Sequence, residues 1–221
     1  MEFAFDIETI PNKDVIDKLP EPEVKYGNTK DPEKRKAMKE NAKLKQLENM
    51  TLDPFFARIC SFAIYAGTYS KVRVLKEISD EAEVELIQEV FEVFTRTDTY
   101  NPTVIIWAGK DHFDIRFLYI RAIALGIDKP IGMPVFEELI KKSSQCFVNL
   151  MQVVCEWGKY LKLGTASRII LDEDKIEHDF SKFIELIESG RGKEIGKYNL
   201  QDAKLTYNLY KKIKPYFLEM Y

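Results

Sequence analysis

The sequence predicts an α/β domain, a mixed central sheet flanked by helices. Three stretches carry that prediction. Phe3, Phe5 and Ile7 alternate with Glu2, Ala4, Asp6 and Glu8, the period of a strand with one buried face. Ala57 to Ala66 (ARICSFAIYA) and Tyr69 to Leu75 are two further strand-like runs, and Gly67-Thr68 between them suits a hairpin turn. Thr103 to Trp107 is short and continuously apolar, the mark of a strand covered on both faces, and a helical pattern follows it. Residues 1–9, 57–66 and 69–76 are therefore expected to pair antiparallel, with parallel strands extending the sheet.

Bulk properties narrow the class. A chain of 221 residues is long enough for one such domain with an insertion. Its 45% hydrophobic and 31% charged content is that of a soluble globular protein. The net charge of -3 gives no overall basic signature of nucleic-acid binding, for which a local patch is nevertheless sufficient. Cys60, Cys146 and Cys155 are odd in number and lack C-x-x-C spacing, which argues against a disulfide framework and against a zinc site. No signal-peptide pattern precedes the first strand, and no apolar run approaches the roughly 18 residues needed to span a bilayer. The expectation is an intracellular, cytoplasmic protein with no membrane partner.

Taken in order, the first strand stops at Ile10-Pro11-Asn12, because proline has no N–H for a ladder. A polar stretch from about residue 11 to 53 follows, in which Pro32 starts a helix behind Asp31 as N-cap. Lys34, Arg35, Lys36, Lys39, Lys43 and Lys45 make that helix charged and mostly exposed, either a solvated surface or an arm that contacts phosphates. Asp80 to Phe94 is amphipathic, with Val84, Ile87, Phe91 and Phe94 on one stripe and Asp80 with Glu83 as a capping box. Asn101-Pro102 breaks the chain, and a helix carrying Asp114 in its first turn runs to Leu125 and ends at Gly126. Further on come a short helix over Pro134–Lys141, a brief strand at Cys146–Asn149 and a helix from Leu150 to Leu161. Gly164 to Glu177 has no clear period and reads as a loop. Phe180 to Ile187 is helical, and a last helix from about Lys193 is ended by Pro215.

The chemistry-bearing residues sit at three places. Asp6 and Glu8 are two apart on a strand, so both project from one face. The spacing alone is unspecific, since Glu21/Glu23, Glu81/Glu83 and Asp172/Asp174 share it on what reads as solvated surface. Context distinguishes Asp6 and Glu8, because the opposite face of their strand is apolar. Asp114 follows a buried strand and a short turn, and Tyr198 and Asp202 are four apart on one face of the last helix. Taken singly, Tyr198 reads as a core or rim residue and Asp202 as a solvated one.

As an ordered set, Phe5-Asp6-Ile7-Glu8-Thr9, Phe113-Asp114 and Tyr198-x-x-x-Asp202 resemble the three exonuclease motifs of the DEDD superfamily, in its tyrosine-bearing (DEDDy) branch. FDIETIPN and LDPFFARICSFAIY are similar to the stand-alone exonucleases related to the proofreading domain of family B DNA polymerases, a group with a helical insertion between these segments. The resemblance implies an RNase H-like fold and a single 3′–5′ exonuclease domain over residues 1–221, with the charged insertion at about 11–53. It implies a metal-dependent hydrolase that releases nucleoside monophosphates from DNA 3′ ends, with two Mg²⁺ or Mn²⁺ ions as cofactors. Asp6, Glu8, Asp114 and Asp202 would be the metal ligands, and Tyr198 would orient the attacking water. A histidine-bearing site would need His at Lys197. Thr9, Lys110, Phe113 and Asn149 stand as candidates for contact with nucleic acid, with Phe113 also suited to packing its helix on the sheet. His112 reads as a helix-start or surface residue. Where the family commonly places a substrate-holding asparagine before the second-motif acid, this chain has Gly109 or Lys110.

Hard carboxylate oxygens suit Mg²⁺ and Mn²⁺, and clustered carboxylates without a cation repel one another. The partner is nucleic acid, DNA ahead of RNA, with replication or repair proteins as further candidates and any proofreading supplied in trans. An exoribonuclease with the same site, an inactive binding module of the same fold, and an endonuclease are the open alternatives.

Overall fold

The computed structural model describes residues 1–95, 103–109, 112–137, 146–155 and 159–217. Its strands are β1 (Glu2–Pro11), β2 (Ala57–Tyr65), β3 (Ser70–Val74), β4 (Thr103–Ile106) and β5 (Phe147–Asn149). They form one five-stranded sheet in the order β3-β2-β1-β4-β5. β1 and β3 are antiparallel to β2, whereas β4 is parallel to β1 and β5 to β4. This is the mixed sheet that the sequence predicts. The β2–β3 hairpin closes with the Ala66 N–H donating to the Tyr69 carbonyl at 2.8 Å, and Gly67 supplies the positive φ the turn requires.

The helices are α1 (Pro32–Asn49), α2 (Asp80–Phe94), α3 (Phe113–Ala124), α4 (Leu150–Val154), α5 (Leu163–Leu171), α6 (Phe183–Glu188) and α7 (Lys193–Phe217). Phe3, Phe5 and Ile7 enter the larger core with Ile87, Phe91 and Phe94 of α2 and Ile115, Phe117 and Leu118 of α3. On the other side of β1, Ala4 and Ala63 meet Ala203 of α7, and small side chains at all three positions let helix and sheet lie close. Ile105 of β4 packs with Leu205, Leu209 and Ile213 of α7 and with Leu150 and Leu163. None of the described helices is long and apolar enough to cross a membrane.

Several expectations are corrected. Ser79, not Asp80, caps α2, accepting from the Ala82 N–H at 3.1 Å. Glu83 is instead fully buried, where it accepts from the Ile59 N–H at 2.8 Å and from Arg121 at 2.8 and 2.7 Å. Residues 163–171 are helical rather than a loop. Leu163, Ala166 and Leu171 pack to one side, but Gly164, Thr165 and Ser167 are weak helix formers and obscure the pattern in so short a helix. The helix from Leu150 stops at Val154, and the Leu161 carbonyl accepts from the Trp107 indole at 3.0 Å. The last helix runs through Pro215 to Phe217, since losing one hydrogen bond in a terminal turn does not end it. β1 takes in Pro11 at its end, a position from which no further ladder donor is needed. The break at Asn101-Pro102 lies outside the described residues, as do residues 138–141 of the helix expected over Pro134–Lys141.

Candidate active site

Two tethers fix α7 along β1. At one end Glu2 accepts from the Tyr210 hydroxyl at 2.8 Å and from Lys214 at 2.7 Å. At the other, the Asn199 amide donates to Asp6 Oδ2 at 2.6 Å and accepts from the Ser61 hydroxyl at 3.0 Å. Between them Ala203 sits on Ala4, and this contact sets how far along the strand the helix lies. Strand alternation then places Asp6 and Glu8 beyond Ala4 on the same face, and helical spacing places Asp202 beside Ala203 and one turn from Tyr198. As a result, carboxylate oxygens of Asp6, Glu8 and Asp202 converge within 4.8 Å of one another. The β1–β2 register shifts just after Glu8, at Glu8/Thr9.

Asp114 arrives separately. It lies in the first turn of α3, buried, with Oδ1 accepting from the Ile7 N–H between Asp6 and Glu8 at 3.3 Å. The three sequence-distant motifs therefore meet at one place. Tyr198 is also buried, in an aromatic surround of Phe180, His178 and Phe183.

Electrostatics mark the cluster as under-compensated. Burial, followed by the charges of Asp114, Asp202 and Glu8, holds the Asp6 carboxyl well above its ordinary range. Burial and then Asp202 do the same to Glu8, against Lys175 and the Asn199 amide. Burial raises Asp114 to about 7, opposed by backbone N–H groups, its own and that of Ile7. Asp202 is raised by burial and held back by Lys175. The Tyr198 phenol is pushed up by burial and then by Asp202, Glu8 and Asp6, so it stays protonated and able to donate. Among the described residues, Asp202 Oδ1 is buried without a hydrogen-bond partner. An orphaned carboxylate oxygen among converging hard ligands fits a divalent cation.

The remaining predicted residues are placed as follows. The Thr9 hydroxyl donates to the Thr51 carbonyl at 2.6 Å, and Phe113 packs at a tilt on Phe117 against the larger core. Asn149 is buried and holds the β4–α3 connection, accepting from the Ala108 N–H at 3.4 Å and donating to the Gly109 carbonyl at 3.1 Å. Its amide also meets His112 Nδ1 at 3.2 Å, and His112 takes up the left-handed position just before α3. Lys110 lies outside the described residues. The sequence reading missed Asn199, Ser61 and Lys175, whose ammonium bonds Asp202. Asn199 is adjacent to Tyr198, a signal that was open to use, but Lys175 lies in a stretch without pattern.

A family described as "Predicted 3'-5' exonuclease related to the exonuclease domain of PolB" matches residues 51–218, more than half of the chain. The chain belongs to that family. Its five-stranded mixed sheet and flanking helices are the α/β RNase H-like fold of such an exonuclease. The family match includes Asp114, Tyr198 and Asp202 and begins after Asp6 and Glu8, which the β1–β2 pairing brings to them. The catalytic polypeptide of DNA polymerase epsilon from Emericella nidulans is similar over 166 residues at 28% identity, covering 71% of this chain and 7% of that protein. Its counterpart in Aspergillus fumigatus is 29% identical over 148 residues, 62% of this chain and 6% of that protein. DNA polymerase 1 of Pyrococcus abyssi is 28% identical over 149 residues, 61% of this chain and 18% of that protein. The chain thus spans less than a fifth of the length of these relatives.

Proposed function

We propose that this 3′–5′ exonuclease family member hydrolyses DNA from single-stranded 3′ ends, with divalent metal, and releases nucleoside monophosphates. The observation that carries the reading is the convergence of Asp6, Glu8 and Asp202 around an orphaned buried oxygen, with Asp114 tied to the same strand. DNA is favoured because the polymerase relatives are DNA polymerases by name. We read residues 1–221 as one domain, with the segment at about 11–53 inserted between the first two strands.

Asp6, Glu8 and Asp202 would hold two Mg²⁺ or Mn²⁺ ions, with Asp114 completing the set. When bound, such ions supply the positive charge that activates water and stabilises the leaving oxygen. The protein's own part is positional. Asn199 fixes the Asp6 carboxylate, the Ile7 N–H fixes that of Asp114, and the protonated Tyr198 hydroxyl orients the attacking water. Nucleic acid is the partner, and Thr9, Phe113, Lys110 and Asn149 remain the candidate contacts, Asn149 by holding the loop before α3.

The test is incubation of 5′-labelled single-stranded DNA and RNA oligonucleotides with Mg²⁺, Mn²⁺ or chelator, beside Asp6→Ala and Asp202→Ala. The expected result is a metal-dependent ladder shortening from the DNA 3′ end and absent in both variants. A ladder on RNA alone would transfer the activity to an exoribonuclease. Binding without cleavage would make the chain an inactive module, and full activity in either variant would remove the metal assignment.

A further inference from the structure

The turn at residues 50–56, where the insertion rejoins the sheet, holds two large apolar side chains out in solvent. Leu52 is 64% exposed and Phe55 63%, although Met50 beside them is buried. Neither sits on a loose segment. The Asp53 N–H donates to the Met50 carbonyl and the Phe56 N–H to the Asp53 carbonyl, both at 3.0 Å, and the Phe55 N–H donates to Asp53 Oδ1 at 2.9 Å. The Pro54 carbonyl accepts from Arg121 of α3 at 3.4 Å, and the Phe56 carbonyl from the Asn12 N–H at 2.9 Å. Leu52 and Phe55 line one open groove of about 240 Å³, and Phe113, Arg116 and Phe117 of α3 form its other wall. The groove is tied to the acidic cluster at two points. Phe113 is next to Asp114, and Thr51, next to Leu52, holds the hydroxyl of Thr9, the neighbour of Glu8.

An exposed apolar patch gains by being covered, and the lining here says by what. It is aromatic and aliphatic with one exposed guanidinium, and the acid among its residues, Asp53, has Oδ1 engaged within the turn. Aromatic faces beside a positive charge suit unpaired bases and their phosphates. We propose that Phe55, with Leu52 and Arg116, forms a stacking site for an unpaired base near the 3′ end of the substrate strand, joining Phe113 along the same groove. This rests on the reading of the acidic cluster as an exonuclease site. Stacking reads no base edge, so the site selects unpaired ends of any sequence.

The experiment uses the full chain and 5′-labelled single-stranded DNA, intact or with an abasic position at each 3′-proximal nucleotide in turn. Cleavage in Mg²⁺, binding by fluorescence anisotropy in chelator and Mn²⁺ affinity by electron paramagnetic resonance are measured on wild type, Phe55→Ala, Phe55→Trp, Leu52→Ala and Arg116→Gln. Phe55→Ala is expected to raise KM on the order of tenfold, with kcat falling less and Mn²⁺ affinity kept. Phe55→Trp should restore the wild-type KM, and Leu52→Ala should raise it less than Phe55→Ala. One abasic position should cost wild type a similar factor and Phe55→Ala nothing further, a pattern that a side chain merely supporting the turn would not give. Arg116→Gln is expected to lower the log–log salt slope of binding by about 0.7, and an unchanged slope removes Arg116 from the site. Unchanged KM and affinity in Phe55→Ala, or an equal abasic penalty in both proteins, overturns the stacking site alone. If wild type binds the strand without cleaving it, the exonuclease reading falls and the abasic comparison still decides the stacking site. Neither binding nor cleavage by wild type overturns both. Self-association of wild type that Phe55→Ala abolishes, with DNA affinity kept, makes the groove a contact between copies and overturns the proposal.

Discussion

Asn199 is fully buried between two motif residues, and both ends of its amide are engaged, one by Asp6 and one by Ser61. Asn199→Ala leaves the Asp6 carboxylate without that donor, and the expected loss is about 1–3 kcal/mol in urea unfolding with chelator present. A smaller deficit in Mg²⁺ would show that the amide shares its task with a cation, whereas no deficit in either would show water replacing it. Asp114 carries a pH signature. Its folded pKa is raised from 3.8 to about 7, so the folded state binds more protons than the unfolded chain between those values. Stability contributed by the protonated form is present at low pH and lost as pH rises through about 7. Chelated wild type is therefore expected to lose more unfolding free energy between pH 5 and pH 8 than Asp114→Asn, and parallel pH profiles would refute the assignment.

At the scale of elements, the site depends on how α7 lies on the sheet. A Cβ on Gly196 would meet Val74 Cγ2 at 3.2 Å and Val72 Cγ2 at 3.4 Å, so helix and β3 are already in contact. Gly196→Val is expected to cost about 1–3 kcal/mol by overpacking. It should also weaken Mn²⁺ binding, because Tyr198, Asn199 and Asp202 ride on the same helix. Normal metal affinity in a destabilised Gly196→Val would uncouple the two. Behind the sheet, Glu83 of α2 and Arg121 of α3 form a two-pronged buried pair, and Arg58 of β2 lies 3.9 Å from Glu83. Arg121→Met leaves that carboxylate short of a partner, and about 3–5 kcal/mol should be lost. Adding Glu83→Gln removes the unpaired charge and should recover part of it, as a double-mutant cycle in urea would measure.

At the scale of the molecule, α1 carries its basic side chains largely in solvent. Asp31 caps it as the sequence predicts, accepting from the Glu33 N–H at 2.9 Å. Arg35 turns back to the Thr29 carbonyl at 2.7 Å and lies over the Tyr26 ring, while Lys39 pairs with Glu21 at 3.1 Å. If the arm follows a nucleic-acid strand, replacing Lys34, Arg35 and Lys36 by Ala should weaken DNA binding and reduce its log–log salt slope by about 2. An unchanged slope in a fluorescence-anisotropy titration would mark α1 as a solvated face.

The sequence alone determined the strands and the α2 and α3 helices, and it singled out the acids that the fold brings together. These are local quantities: alternation, helical period and turn chemistry act between residues a few positions apart. It did not reveal α5, a short helix in which Gly164, Thr165 and Ser167 are weak helix formers, or the end of the helix after Leu150 at Val154. Asn149 was legible as a polar residue near the site, but not as the holder of the loop before α3. Tertiary structure alone decided the meeting of Asp6 with Asn199, of Asp114 with the Ile7 N–H and of Lys175 with Asp202. Each joins residues far apart in the chain, at distances fixed by the alanine contact between β1 and α7 and by the packing of α3. No periodicity encodes such distances, since they follow from which surfaces bury one another.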